Sequence, residues 1–251
     1  MSKFIQHIQQ LKADKKKALA VLIDPDSPIR QIAAIAQQCQ VHKVDYIFAG
    51  GSLVTTGVMA EAIQTIQSHC SIPIYIFPGN ELMIDEQADG ILFLSLLSGR
   101  NPEYLIGKHV VAAPQLAASS LDVVATAYLL IDGGRETSVS YISNTKPIPA
   151  DKADIAVATA LAGKLMGMRC IYMDAGSGAD KAISEKMADR VSSQVNLPLI
   201  IGGGIRQAET ALALYQAGAD VLVIGNGVEE NDSLIERISK VRNQMAITVN
   251  I

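Results

Sequence analysis

The sequence predicts a (β/α)8 barrel, the TIM-barrel fold. Short apolar runs rich in β-branched residues recur eight times along the chain, and amphipathic stretches separate most of them. Several of these runs are apolar at consecutive positions, which is typical of parallel strands buried on both faces. Eight parallel strands in 251 residues suit one barrel. We therefore assign residues 1–251 to a single domain.

Each element follows from this pattern. The predicted strands lie at residues 19–24, 46–49, 74–77, 90–94, 128–132, 170–174, 197–201 and 221–224. The predicted helices lie at residues 29–40, 58–68, 102–116, 151–166, 181–195, 207–217 and 233–245. A doubly wound open sheet is the alternative, but it needs a Gly-x-Gly-x-x-Gly turn after an early strand, and the sequence has none.

Two segments depart from a regular alternation. After the third strand, Pro78-Gly79-Asn80 and a short acidic stretch leave too little chain before Gly90 for a covering helix. We expect an irregular segment there. The longest predicted loop, residues 133–150, suits a functional segment as well as a surface excursion.

Composition excludes several classes of function. Aromatic residues make up 4% of the chain, Trp is absent and the net charge is −4, which argues against a nucleic-acid-binding protein. The three cysteines are far apart in sequence, which fits buried thiols in a reducing compartment. No apolar stretch approaches the roughly 20 residues of a membrane span. We expect a cytoplasmic protein.

Glycine-rich turns follow the last two predicted strands. Gly202-Gly203-Gly204 follows the seventh and Gly225-Asn226-Gly227 the eighth, and a helix comes after each. Consecutive glycines let backbone N–H groups approach an anion, and barrels of this kind commonly bind phosphate at this place. The two turns together predict a phosphate cradle. The sixth strand and the glycine-flanked turn after it add Tyr172, Asp174, Gly176, Ser177 and Gly178 beside it.

Two carboxylates follow the first predicted strand. Asp24 and Asp26 end this strand, and Ser52 ends the second. A strand-end carboxylate beside a hydroxyl suits Mg²⁺ serving a more highly charged phosphate group. Either acid also suits the N-terminal cap of the helix that starts near Pro28. We assign Asp24 to the metal and Asp26 to the cap.

The missing helix predicts an apolar groove on the flank of the barrel. Residues 91–97 border it and continue apolar past the strand end. Core burial explains about half of these side chains, and the excess suits a long hydrocarbon ligand. Covalent catalysis is not indicated, because the chain has no Gly-x-Ser-x-Gly elbow and no lysine within a predicted strand.

Seven motifs occur in order along nearly the whole chain. They are Leu-Ile-Asp-Pro-Asp at 22–26, Ala-Gly-Gly-Ser at 49–52, Phe-Pro-Gly-Asn at 77–80, Tyr-Ile-Ser-Asn-Thr-Lys-Pro-Ile-Pro at 141–149, Tyr-Met-Asp-Ala-Gly-Ser-Gly at 172–178, Gly-Gly-Gly-Ile at 202–205 and Gly-Asn at 225–226. In this series the chain resembles the geranylgeranylglyceryl phosphate synthases and their bacterial prenylglyceryl phosphate synthase relatives. The resemblance implies transfer of a prenyl group from a polyprenyl diphosphate to the sn-3 hydroxyl of sn-glycerol 1-phosphate, with release of pyrophosphate.

The resemblance also implies roles for individual residues. Asp24 and Ser52 are expected to bind Mg²⁺, and Asp174 and Tyr172 to be catalytic, Asp174 as proton acceptor or orienter of the hydroxyl. The residues expected to hold glycerol phosphate are Tyr172, Met173, Asp174, Ala175, Gly176, Ser177, Gly178, Gly203, Gly204, Gly225 and Asn226. Many family members have Glu at the position of Asp174, so the reach of this carboxylate is one methylene shorter here.

Other interpretations stay open on the residues alone. A phosphate-binding barrel isomerase or lyase shares the glycine-rich turns, but it needs a strand-end acid and base pair that is not found. A non-catalytic phosphoglycerol-binding or lipid-binding barrel is the other class. We expect a homo-oligomer, because family relatives commonly associate and a flank without a helix leaves apolar surface.

Overall fold

The predicted barrel is confirmed. The computed structural model describes residues 2–225, 227–228 and 233–247. Its strands are β1 (Ala18–Ile23), β2 (Tyr46–Gly50), β3 (Ile74–Phe77), β4 (Gly90–Leu96), β5 (Asp122–Leu130), β6 (Cys170–Asp174), β7 (Leu199–Gly202) and β8 (Val221–Ile224). All neighbouring pairs are parallel. Pairing of β1 with β8 closes the barrel.

Helices surround this barrel. They are α1 (Lys3–Ala13), α2 (Ile29–Val41), α3 (Met59–His69), α4 (Lys108–Ala118), α5 (Ser138–Ser143), α6 (Ala153–Leu165), α7 (Glu185–Val195), α8 (Ala208–Gln216) and α9 (Leu234–Ile247). One π-helical turn, Glu103–Gly107, leads into α4. Turns of this type occur mostly as single turns next to α-helices and often lie at functional sites.

The segment after β3 is irregular, as predicted. Its only regular element is one 3₁₀ turn, Glu81–Met83, before β4 begins at Gly90. The side chain of Asn80 accepts a hydrogen bond from the backbone of Leu82 at 2.9 Å and so starts this turn. Because one short turn cannot cover the neighbouring strand, the flank of the barrel is open here.

Alternation along the strands divides the core into two layers. The outer layer, between the strands and the helices, contains side chains such as Val21, Ile47 and Met173. The inner layer fills the barrel and contains Phe48, Tyr128 and Tyr172 among others. Since successive side chains of a strand point to opposite faces, Tyr172 and Asp174 of β6 share the inner face and Met173 does not.

Helix α1 was not predicted, and it closes the lower end of the barrel. Its side chains Phe4, Ile5 and Ile8 are fully buried in the inner layer. The ring of Phe4 lies 4.7 Å from that of Tyr46 and 5.1 Å from that of Tyr75. The predicted helices were the partners of preceding strands. Helix α1 is not part of such a strand–helix pair, and the periodicity of its sequence does not show which surface it covers.

Several predicted boundaries were wrong. Strand β5 begins at Asp122, six residues before the predicted start at 128, because Asp122, Thr126 and the small residues Ala125 and Ala127 dilute its apolar signature. Helix α7 begins after its N-cap residue Ser184 rather than at 181. The predicted loop 133–150 contains the short helix α5 and a bridge between Ile131 and Ile148.

Asp122 attaches α1 to the barrel. Its Oδ2 atom accepts hydrogen bonds from the hydroxyl of Ser2 (3.0 Å), the backbone N–H of Phe4 (2.9 Å) and the hydroxyl of Tyr75 (2.9 Å). We predict that Asp122→Ala lowers the free energy of unfolding by about 2–4 kcal/mol, because three donors lose a charged acceptor. Denaturant unfolding measures this. Asp151→Ala, at an exposed position, is the control and should stay within about 0.5 kcal/mol of the wild type. An equal, small effect of both substitutions would contradict the attachment.

Candidate functional site

The carboxyl ends of the strands enclose one open cavity, here called the polar mouth. Ten of the predicted site residues line it, from both halves of the chain. They are Asp24, Ser52, Tyr172, Asp174, Gly176, Ser177, Gly178, Gly203, Gly204 and Gly225. The side chains of Met173 and Ala175 are buried in the outer layer instead, so only their backbone atoms face the β6–α7 turn. Asn226 lies outside the described residues.

Glycines shape the floor of the polar mouth. Gly203 has a φ of +82°, and a Cβ atom on it would lie 2.7 Å from Asp174 Oδ1 and 2.8 Å from the backbone nitrogen of Ala175. Only glycine fits this conformation and this space. Gly225 differs, because a Cβ there would meet Leu22 at an ordinary 3.6 Å. Both turns line the polar mouth without side chains of their own, as an anion cradle requires.

Asp174 is the buried carboxylate of the site. It is 9% exposed. Its Oδ2 accepts the hydroxyl of Tyr128 at 2.5 Å, and its Oδ1 accepts the backbone N–H of Gly176 at 2.7 Å. Parallel register places Tyr128 beside Tyr172, two residues before Asp174, and so brings the phenol within reach. Burial raises the pKa of Asp174, while the two hydrogen bonds oppose this rise.

Asp24 and Asp26 have different environments. Asp24 is half-buried and lines the polar mouth. Its Oδ1 accepts a hydrogen bond from the backbone N–H of Asp26 at 2.9 Å. Its Oδ2 faces Gly51, and a Cβ atom on that glycine would lie 3.7 Å from it. Burial raises the pKa of Asp24. A cation close to the carboxylate would oppose this rise.

The predicted cap role of Asp26 was wrong. Pro28 occupies the N-cap position of α2, and none of the described side chains makes a cap hydrogen bond to this helix. Asp26 instead accepts hydrogen bonds from the backbone N–H groups of Thr55, Thr56 and Gly57, which hold its pKa well below the usual range. This carboxylate therefore holds the β2–α3 loop.

The donor set around Asp24 fits a hard cation. Among the described residues no cluster of three or more His, Cys, Asp or Glu side chains could hold a metal ion. Mg²⁺ is commonly bound by one or two carboxylates with waters and substrate phosphates completing its coordination. One carboxylate and one hydroxyl, Asp24 and Ser52, both lining the polar mouth, are compatible with that arrangement.

An apolar groove opens beside the polar mouth, where the covering helix is missing. Its volume is about 90 Å³, which is that of a narrow cleft. Its walls come from the irregular segment, β4, α4 and α5. The lining side chains include Phe77, Ile84, Ile91, Phe93, Leu94, Leu96, Tyr104, His109, Leu116, Val139 and Ile142.

Three residues belong to both cavities. Ser52, Phe77 and Ile142 line the polar mouth and the apolar groove alike. Phe77 and Ile142 lie inside motifs recognised in the sequence, yet neither was predicted as a site residue. Tyr128 was also missed. Its signal is structural, because only the pairing of β5 with β6 brings its hydroxyl to Asp174.

The fold and the site define a class of protein: a (β/α)8 barrel with an anion cradle at the carboxyl ends of its strands and an apolar groove beside it. The model of the PcrB family matches residues 12–243. The chain belongs to this family.

Relatives and solved structures agree with this membership. The chain is 53% identical to the geranylgeranylglyceryl phosphate synthase of Chitinophaga pinensis over 230 residues, which cover 91% of both chains. It is 38% identical to the synthase of the same name from Pyrococcus horikoshii over 237 residues, 92% of both chains. The crystal structure of (S)-3-O-geranylgeranylglyceryl phosphate synthase from Thermoplasma acidophilum, in complex with its substrate sn-glycerol-1-phosphate, has a TM-score of 0.90, 34% identity, and coverage of 98% of this chain and 100% of that chain.

No helix in the described part of the chain has the length and apolar character that crossing a membrane requires.

The hydrogen bond from Tyr128 generates a prediction for Asp174. The phenol donates to the charged carboxylate and so lowers its pKa. Tyr128→Phe should therefore raise the pKa of Asp174 further. Carbon-13 NMR titration of labelled aspartates, with Asp174→Asn to assign the resonance, measures this pKa. Tyr75→Phe is the matched control, because that phenol donates to Asp122 instead. An unchanged pKa in Tyr128→Phe would contradict the coupling.

Proposed function

We propose that this protein transfers a geranylgeranyl or similar polyprenyl group from its diphosphate to the sn-3 hydroxyl of sn-glycerol 1-phosphate. The observation that carries this proposal is the junction of two unlike cavities. One is polar and glycine-lined, and the other is apolar and long enough to border β4 and α4. A reaction that joins a phosphorylated polyol to a hydrocarbon chain needs both cavities, and it needs them in contact.

The glycerol phosphate substrate occupies the side of the mouth formed by β6, β7 and β8. Its phosphate accepts hydrogen bonds from the backbone at Gly203, Gly204 and Gly225, glycines that line the polar mouth. Its hydroxyls face Tyr172 and Asp174 on the inner face of β6. The complex of the Thermoplasma acidophilum relative with sn-glycerol-1-phosphate supports this choice of substrate.

The diphosphate of the prenyl substrate occupies the opposite side of the mouth, at Asp24 and Ser52. We propose that these two residues hold Mg²⁺ there. When bound, Mg²⁺ neutralises the charge that develops on the leaving pyrophosphate. The prenyl tail extends from this position into the apolar groove, where burial of hydrocarbon favours binding.

The residues of the chain supply positioning and a proton acceptor. The C1–O bond of the prenyl diphosphate breaks, and its electron pair leaves with the pyrophosphate. The sn-3 hydroxyl oxygen bonds to C1, and its proton passes to Asp174, whose carboxylate Tyr128 and Gly176 hold in place.

We also propose that copies of the chain associate into a homo-oligomer. Ile106, Val110 and Val111, on the π-helical turn and α4, are each at least 60% exposed. Apolar side chains grouped in this way on one flank are typical of a surface that a second copy covers.

The experiment that tests the function compares the two enantiomers of glycerol phosphate. The purified protein is mixed with geranylgeranyl diphosphate, Mg²⁺ and either sn-glycerol 1-phosphate or sn-glycerol 3-phosphate. Pyrophosphate release and the mass of the product are measured. We expect an ether product with the 1-phosphate and a rate at least about 100-fold lower with the 3-phosphate, since the fixed cradle presents its hydroxyls wrongly to Asp174.

Two results would overturn the proposal. Comparable turnover of both enantiomers would remove the glycerol 1-phosphate assignment. Tight binding of both substrates without pyrophosphate release would instead indicate a non-catalytic phosphoglycerol- or lipid-binding barrel.

The metal role of Asp24 gives a separate prediction. Asp24→Asn keeps the size of the side chain and removes the charge that Mg²⁺ requires. Turnover should fall by about 100-fold or more, while the free energy of unfolding changes by less than about 1 kcal/mol. Wild-type activity should vanish with EDTA and return with added Mg²⁺.

The matched control is Asp189→Asn, the same chemical change at an exposed position of α7. It should leave both turnover and stability unchanged. Full activity of Asp24→Asn would show that Asp24 has no metal role.

A further inference from the structure

The reacting carbon of the prenyl substrate has a definable place. If the proposed function holds, the diphosphate lies in the polar mouth and the tail in the apolar groove. The C1 atom joins these two parts and must lie where the cavities meet. Only Ser52, Phe77 and Ile142, among the described residues that line the cavities, line both. C1 therefore lies next to these three side chains.

Phe77 is the one of the three with an aromatic ring. It is the last residue of β3 and is 6% exposed. Because β3 has no covering helix after it, the chain turns away at Pro78, and this ring borders both the mouth and the groove.

Two tyrosine rings hold Phe77 in one orientation. Its ring centroid lies 5.4 Å from that of Tyr172 and 6.0 Å from that of Tyr128, with interplanar angles of 57° and 68°. The tyrosine rings lie 5.4 Å from each other, so the three rings are mutually in contact. The hydroxyl of Tyr128 is in turn bonded to Asp174. These contacts fix the orientation of the Phe77 ring beside both cavities.

The chemistry of the transfer step requires stabilisation of positive charge at this place. As the allylic C1–O bond stretches, C1 gains positive charge before the hydroxyl oxygen bonds to it. None of the three residues at the junction is charged, so the charge at C1 has no counter-ion among them. The face of an aromatic ring attracts a cation through its quadrupole, and this attraction strengthens away from water.

We propose that Phe77 is a catalytic residue whose ring stabilises the positive charge that develops on C1. The step is balanced without further reactants. The electron pair of the C1–O bond leaves with the pyrophosphate, a lone pair of the sn-3 hydroxyl oxygen forms the new bond to C1, and the hydroxyl proton passes to Asp174. The ring contributes only while C1 is positively charged, so it acts on the transition state more than on substrate binding.

The test weakens the ring electrostatically without changing its shape. Phe77 is replaced by mono-, di- and trifluorophenylalanine in the full-length protein, and kcat and both KM values are measured with Mg²⁺, sn-glycerol 1-phosphate and geranylgeranyl diphosphate. We expect kcat to fall stepwise, by about tenfold over the series, while both KM values stay within about twofold.

The matched control is the same series at Phe4. This ring packs against Tyr46 and Tyr75 at the lower end of the barrel and is not among the residues that line the polar mouth or the apolar groove, so kcat should not change with fluorination there. Phe77→Leu, which removes the ring and retains an apolar side chain, should also lower kcat more than it raises either KM. The melting temperature of each variant shows whether the protein has folded.

The outcomes separate this inference from the proposed function. If kcat does not change across the Phe77 series in a protein that forms the ether product, the proposed role of the ring is overturned and the proposed function is not. A series that changes only KM for the prenyl diphosphate would assign Phe77 to tail packing and would overturn it too. A wild-type protein that forms no prenylated glycerol phosphate would overturn the function itself.

Discussion

Pairing of β1 with β8 is the constraint on which the rest of the molecule depends. Once the sheet is closed, every strand ends on the same rim, and residues as far apart in sequence as Asp24 and Gly225 line one cavity. Closure also requires that inward side chains fill the interior. Small residues on β1, Ala18 and Ala20, and large aromatic ones on β2 and β3 share this space with α1. Closure of the barrel thus determines both the position of the site residues and the packing of the core.

The burial of Asp174 follows from the same arrangement. A carboxylate at the end of β6 is removed from water by its neighbours, which raises its pKa. Two donors offset part of this cost, one from the neighbouring strand and one from the turn after β6. Gly203 leaves no room for a Cβ beside this carboxylate. The carboxylate of Asp174 is therefore held tightly in one position.

Most of the architecture was predictable, because parallel strands in a barrel have a simple signature. The runs at 74–77, 170–174 and 221–224 match the observed strands at both ends. The start of strand β5 was predicted too late because Asp122 and Thr126 are polar. In the structure Asp122 accepts a hydrogen bond from α1, and the hydroxyl of Thr126 donates to the backbone of Val124 in the same strand. Site residues at strand ends were predictable from glycine and carboxylate patterns. Phe77 and Tyr128 were not, since an aromatic residue within a strand looks the same whether it fills the core or faces a cavity.

The attachment of α1 to Asp122 has a consequence for how the chain assembles. The bond between the backbone of Phe4 and Asp122 spans 118 residues, and Phe4 also packs against Tyr46 and Tyr75. During synthesis the first helix emerges long before the strands that bury it. Its hydrogen bond to Asp122 cannot form until β5 has been made. Contacts between segments so far apart form slowly, because a large loop must close before they stabilise anything. The lower end of the barrel is thus completed late, and a nascent chain arrested before β5 would present to chaperones a hydrophobic helix that lacks its attachment at Asp122.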